Sequence, residues 1–197
     1  DPAGAGVLVC GTSGSGKSTL TTALLECLAD VGYQILIVDP EGDYTNLAFA
    51  HVLGNANQAP RPEDVTEALK DPKRSVVVNL LGVPLADRPV FFAQLLPRVL
   101  EQKARTGRPH WLAVDEAHHL LPTGPDAANR ATQLPDRGVL YITVHVSAME
   151  PRALEHVRTL LAIGGHPAET VGEFCRAAGE KEPVCPPVAG DKLPTGD

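Results

Sequence analysis

The sequence predicts an α/β domain built on a doubly wound, mostly parallel sheet. Three observations predict it. Apolar runs of strand length alternate with longer stretches of helical pattern. Those runs are nearly continuous in apolar residues instead of alternating, as strands covered on both faces require. The first run passes through a glycine-rich turn into a helical pattern, an order that leaves backbone N–H groups facing an anion. A chain of 197 residues suffices for one such domain with a sizeable core. Apolar residues make up 43% and charged residues 21%, ordinary for a globular protein, while aromatics at 4% leave the core to Leu, Val and Ala.

Each element follows in order. Gly6-Val7-Leu8-Val9-Cys10 is the first strand, and Leu20, Leu24, Leu28 and Val31 recur at helical spacing behind it. Residues 34–39 form a second strand, ended by Pro40-Glu41-Gly42-Asp43-Tyr44. Residues 52–61 read as loop, and Pro62-Glu63-Asp64 opens a short helix that runs to Lys70. Residues 75–80 are a third strand, and 86–103 the longest helix, with Pro97 placed to kink it. Strands follow at 110–115, 139–145 and 160–163, with helices around 151–158 and 167–178. Residues 1–179 are therefore expected to be one domain, and the Pro- and Gly-rich segment 180–197 a tail or linker. The chain starts Asp1-Pro2 with no initiating Met and enters its first strand almost at once, so it is expected to be a domain cut from a longer protein.

The chemistry is densest in Gly11-Thr12-Ser13-Gly14-Ser15-Gly16-Lys17-Ser18-Thr19. Between a strand and a helix, G-x-x-x-x-G-K-[ST] is a P-loop, which predicts binding of a nucleoside triphosphate. The glycines let the backbone wrap a phosphate, Lys17 would bridge the β- and γ-phosphates, and the Ser18 hydroxyl would hold Mg²⁺. A second signal is Trp111-Leu112-Ala113-Val114-Asp115-Glu116, an apolar strand ending in adjacent carboxylates. Asp115 suits the Mg²⁺ shell, and Glu116 is left to activate the water that attacks the γ-phosphate. Such a pair marks a hydrolase. On the 139–145 strand Tyr141, Thr143 and His145 share one face, which makes His145 the candidate γ-phosphate sensor and Thr143 the second choice. His118 and His119 read as helix-start histidines, since no further Cys or His completes a metal set.

Composition narrows the partners. A formal charge of −7 argues against a domain that clings to nucleic acid by overall charge. Arg98, Lys103, Arg105 and Arg108 are the candidate basic patch and read as a solvent-facing helix end. None of the four cysteines shows C-x-x-C spacing; Cys10 and Cys27 read as small buried hydrophobes, which fits a reducing cytoplasm. No run of about 18 apolar residues could span a membrane.

Taken together, Gly11 to Thr19, Asp39-Pro40-Glu41-Gly42-Asp43-Tyr44 and Val114-Asp115-Glu116-Ala117-His118-His119-Leu120-Leu121-Pro122 closely resemble the HerA–FtsK superfamily of P-loop ATPases. The match is best to the HerA branch, with its D-x-x-G-E-Y and h-D-E-A-H-x-L-L-P blocks, and runs over residues 6–178. The resemblance implies an ASCE, RecA-like P-loop NTPase core that hydrolyses ATP. It also implies a homo-oligomeric ring that moves double-stranded DNA, with a neighbour's arginine completing each site; Arg130, Arg137 and Arg152 are the candidates. Asp39 and Asp43 become secondary nucleotide contacts. The family usually carries Gln at the sensor position, where this sequence has His145. Other readings are a small-molecule kinase and a nucleotide-gated interaction module. A kinase would want an Arg-rich lid, whereas 123–137 holds only Arg130 and Arg137.

Overall fold

The computed structural model describes residues 4–124 and 133–182. Seven strands form one sheet in the order β3-β4-β2-β5-β6-β1-β7, and every pairing is parallel. The strands are β1 (Gly6–Gly11), β2 (Ile35–Asp39), β3 (Ala50–Leu53), β4 (Ser75–Asn79), β5 (Trp111–Val114), β6 (Val139–Thr143) and β7 (Val157–Ile163). Helices α1 (Lys17–Asp30), α2 (Pro62–Ala68), α3 (Arg88–Thr106), α4 (Ala117–Leu120), α5 (Pro151–Leu154) and α6 (Pro167–Ala178) connect them.

Two apolar clusters, one on each face, account for the continuous apolar strands. Leu36, Val38, Leu112, Val114 and Tyr141 pack with Phe92, Leu95, Leu96 and Val99 of α3. Ile35, Ile37, Ala113, Leu140 and Ile142 pack on the other side with Leu25 of α1. Every residue of β2, β4, β5 and β6 is buried. Each buried Val, Leu or Ile contributes about 1.5–3 kcal/mol by leaving water.

The structure corrects several sequence expectations. A seventh strand, β3, lies at the sheet edge where part of the segment was expected to be loop. Its four residues are too short a signal alone, and pairing with β4 makes them a strand. Strand β7 begins at Val157 and shortens the helix expected over 151–158, because Val157 and Thr159 pair with Gly6 and Val7. Helix α1 turns a different face inward: Thr21 and Leu25 are buried, Val31 is 71% exposed, and Cys27 is exposed. Lys103 is no part of a solvent-facing patch. Its Nζ donates to the carbonyls of His110 and Arg137, tying α3 to the start of β5 and to the approach to β6. Arg130, Cys185 and most of the expected tail lie outside the described residues.

Because all strands run the same way, the ends of β1, β2, β5 and β6 share one edge of the sheet. The loops that leave that edge carry the P-loop, the turn with Asp43, the acid pair and His145. In parallel sheets ligands bind outside such carboxyl ends.

Candidate active site

The glycine-rich loop is shaped by close packing at one end and open space at the other. Gly11 has φ 155°, and a Cβ there would sit 2.0 Å from the Ile163 carbonyl oxygen, so only glycine lets β1 lie against β7. Gly14 (φ 72°) and Gly16 (φ 93°) are left-handed, and a Cβ at either would meet nothing within 4 Å. Gly16 opens α1, so the first-turn N–H groups of Lys17, Ser18 and Thr19 lie beside that space. Lys17 is 8% exposed, and its Nζ donates to the Thr12 carbonyl at 2.9 Å. Ser15 Oγ is buried without a hydrogen-bond partner. Thr12, Ser13, Ser18 and Thr19 are exposed. An open nest of N–H groups, an unpartnered hydroxyl and a lysine whose Nζ is held by its own loop suit a phosphate chain.

Asp39 closes the turn after β2. It is fully buried; Oδ1 accepts the N–H groups of Gly42 (2.7 Å) and Asp43 (3.1 Å), and Oδ2 accepts that of Tyr44 (3.0 Å). Both oxygens are therefore engaged by the turn, and Asp39 shapes the loop that carries Asp43. Asp43 Oδ2 in turn accepts from Ser18 Oγ at 3.3 Å. Of the two aspartates expected as nucleotide contacts, Asp43 reaches the P-loop and Asp39 holds it there.

The acid pair follows β5. The Asp115 N–H donates to the Val38 carbonyl at 3.0 Å, and the residue is 4% exposed. Burial, then the nearby Glu116, push that carboxyl up to about 8. Asp39 and Asp43 add negative charge beside it. A carboxyl so placed is short of positive charge, which is the deficit a divalent cation fills. Glu116 has φ 41°, the one non-glycine with positive φ among the described residues. Its carboxyl is raised by burial, then by Glu41, while Lys17 pulls it down.

Three histidines gather over Glu116. His118 Nδ1 lies 2.9 Å from Thr143 Oγ1 and 3.2 Å from Glu116 Oε2. The His118 ring centroid is 4.0 Å from that of His119 and 5.2 Å from that of His145. Burial, with help from His119 and His145, lowers His118 to about 4, so it is neutral at pH 7. Among the described residues no cluster of His, Cys, Asp and Glu is arranged to hold a metal by itself.

A family model described as the central domain of helicase HerA matches residues 6–160. The chain belongs to the helicase HerA central-domain family. A search of curated proteins finds no match. Among solved structures the chain is similar to the genome packaging NTPase B204 from Sulfolobus turreted icosahedral virus 2. The complex of that protein with ATP-gammaS matches at 18% identity over 91% of this chain and 84% of that one, TM-score 0.58. Its AMPPCP complex matches at 17% identity over 92% and 90%, TM-score 0.58. At such identities the likeness is one of fold.

As a HerA-family domain the chain is a motor ATPase core that binds and hydrolyses ATP. The HerA fold brings Lys17, Ser18, Asp43, Asp115 and Glu116 to one sheet edge and sets His145, exposed, two residues beyond β6. Arg137 lies before β6, at the opposite edge, paired with Asp136 at 3.7 Å. Arg152, in α5, pairs with the buried carboxylate of Glu150. His118, expected as a partly exposed helix-start histidine, has a side chain 9% exposed that faces Glu116. The available signal was its place two residues after Glu116. Among the described residues no helix is long and apolar enough to cross a membrane.

Proposed function

We propose that this HerA-family domain is the Mg²⁺-dependent ATPase core of a ring-forming motor that acts on double-stranded DNA. The observation that carries the reading is the meeting of Lys17, the Ser18–Asp43 pair, Asp115 and Glu116 at one edge of the sheet. The segment Gly11 to Thr19 wraps the triphosphate, and Lys17 leaves the Thr12 carbonyl for the β- and γ-phosphate oxygens. Ser18 and Asp115 are the residues that would hold Mg²⁺, and Asp43 orients the Ser18 hydroxyl. When bound, that ion offsets the charge that builds on the phosphate oxygens. Glu116 accepts the proton of the attacking water as its oxygen bonds to the γ-phosphorus and the bond to the β–γ bridging oxygen breaks. His145, beside the strand end next to β1, senses the γ-phosphate.

The DNA-coupled part rests on the family and on the solved neighbour, a genome packaging NTPase. A neighbouring copy would supply the arginine that completes the site, from Arg137 or Arg152, or from Arg130 outside the described residues. The free thiols of Cys10 and Cys27 support a reducing, cytoplasmic setting. The test is Glu116→Gln, which keeps shape and removes the base. ATP affinity should hold while turnover falls about 10²-fold or more, with double-stranded DNA raising turnover of the wild type only. Equal turnover in the two proteins would overturn the reading.

A further inference from the structure

Glu116 is held in a conformation that its own chain disfavours. At φ 41° and ψ 49° it is left-handed, which costs a residue with a side chain about 1–3 kcal/mol. The turn folds the chain so that the residue two positions on faces its carboxylate. Oε2 is shielded from solvent and has no hydrogen bond, and His118 Nδ1 stands 3.2 Å from it. The same Nδ1 stands 2.9 Å from Thr143 Oγ1. Thr143 is fully buried at the end of β6, and its Oγ1 already accepts the His145 N–H at 3.1 Å. Its strand partner is Cys10, the residue before Gly11.

A neutral imidazole nitrogen carries either a proton or a lone pair. With the proton on Nε2, Nδ1 accepts the Thr143 hydroxyl proton and turns a lone pair toward Glu116, whose carboxylate then has no donor. With the proton on Nδ1, the ring donates to Glu116, and the Thr143 hydroxyl must direct its proton elsewhere. The two bonds exclude each other, and their balance sets whether the carboxylate is fixed. We propose that His118 is a positioning residue for Glu116, its Nδ1 alternating between the Thr143 hydroxyl and the Glu116 carboxylate. The donated bond holds Oε2 so that Oε1 faces the attacking water. Thr143 links that choice to the strand beside the P-loop. The inference rests on Glu116 acting as the base.

The experiment compares steady-state ATP hydrolysis and ATP affinity in wild type, His118→Ala, His118→Asn, Glu116→Gln and the His118→Ala/Glu116→Gln double variant. His118→Ala should lower kcat about 10- to 100-fold, with KM and ATP affinity within about twofold of wild type. His118→Asn, whose amide can donate from near the Nδ1 position, should recover most of that loss. The double variant should be no slower than Glu116→Gln, since an absent base needs no positioning. Unchanged kcat in His118→Ala, a loss carried by KM, or full additivity in the double variant would overturn the inference. Should His118→Ala fail to fold, His118→Leu, which fills the same space without a donor, takes its place, and wild-type kcat in that variant overturns the inference. Turnover that survives Glu116→Gln brings down the base reading itself, an outcome distinct from turnover lost in Glu116→Gln but kept in His118→Ala.

Discussion

Replacing Asp39 by Asn separates a structural aspartate from a nucleotide contact. Asp39 is 0% exposed, with Oδ1 accepting two N–H groups and Oδ2 one. An asparagine has a single carbonyl oxygen. Turned to keep Gly42 and Asp43, it sets its NH₂ against the Tyr44 N–H, donor to donor. That leaves a buried N–H unpartnered, at about 1–3 kcal/mol. Removing a carboxyl that burial pushes upward returns part of this, so the expected net loss is about 1–2 kcal/mol. For a chain of this size that is a drop of about 2–8 °C in Tm. The displaced turn also loosens Asp43 from Ser18, so turnover should fall more than ATP affinity. The assay is thermal and urea unfolding with and without ATP, beside calorimetric ATP titration. Unchanged stability with sharply weakened ATP binding would refute the reasoning and make Asp39 the nucleotide contact expected from the resemblance.

Two further outcomes are expected. Lys17→Ala should weaken ATP binding at least tenfold, about 1.4 kcal/mol or more, with little change in Tm, because among the described residues Lys17 bonds only to its own loop at Thr12; calorimetry showing unchanged affinity would end the P-loop assignment. The His118 imidazole is lowered from 6.5 to about 4, so the unfolded chain binds its proton first as pH falls. Its stabilising contribution is complete above pH 6.5 and is lost toward pH 4, at up to about 1.4 kcal/mol per pH unit. The raised carboxyls of Asp39, Asp115 and Glu116 act in the opposite sense there. The quantity to measure is therefore the unfolding free energy of wild type minus that of His118→Asn between pH 7 and 4, and a flat difference refutes the buried neutral imidazole.

Much of the fold is legible in the residues because buried parallel strands must be apolar throughout, as β2, β4, β5 and β6 are. Edge strands escape that rule. β3 is only partly buried, and its identity comes from its ladder to β4, which no local pattern encodes. The inward face of α1 departs from the apolar spacing because Thr21 can face the sheet as readily as a leucine, while Val31 ends the helix in solvent. In the site, Lys17, Ser18, Asp115 and Glu116 are legible because few sequences place those types at that spacing. The duty of Asp39 and the reach of His118 to Thr143 depend on backbone placement to within a few tenths of an ångström. Residue type says nothing about that.

The sheet order explains how the strained Glu116 is kept in place. Strands β5 and β6 lie between β1 and β2, so the acid pair and Thr143 are inserted between the P-loop and the Asp43 turn. On one side of Glu116, the Asp115 N–H bonds to Val38 of β2. On the other, the Glu116 carbonyl accepts the His119 N–H at 2.7 Å, and Ala117 is fully buried in the core. The backbone is pinned on both flanks of a single left-handed residue, which is how about 1–3 kcal/mol of local strain persists in a folded chain. A pinned backbone leaves the Glu116 side chain as the part free to respond, and the groups in reach of its carboxylate, His118 and behind it Thr143, belong to α4 and to the end of β6. The base is thus steered by His118 of its own segment and, through that ring, by Thr143 of the strand next to the P-loop.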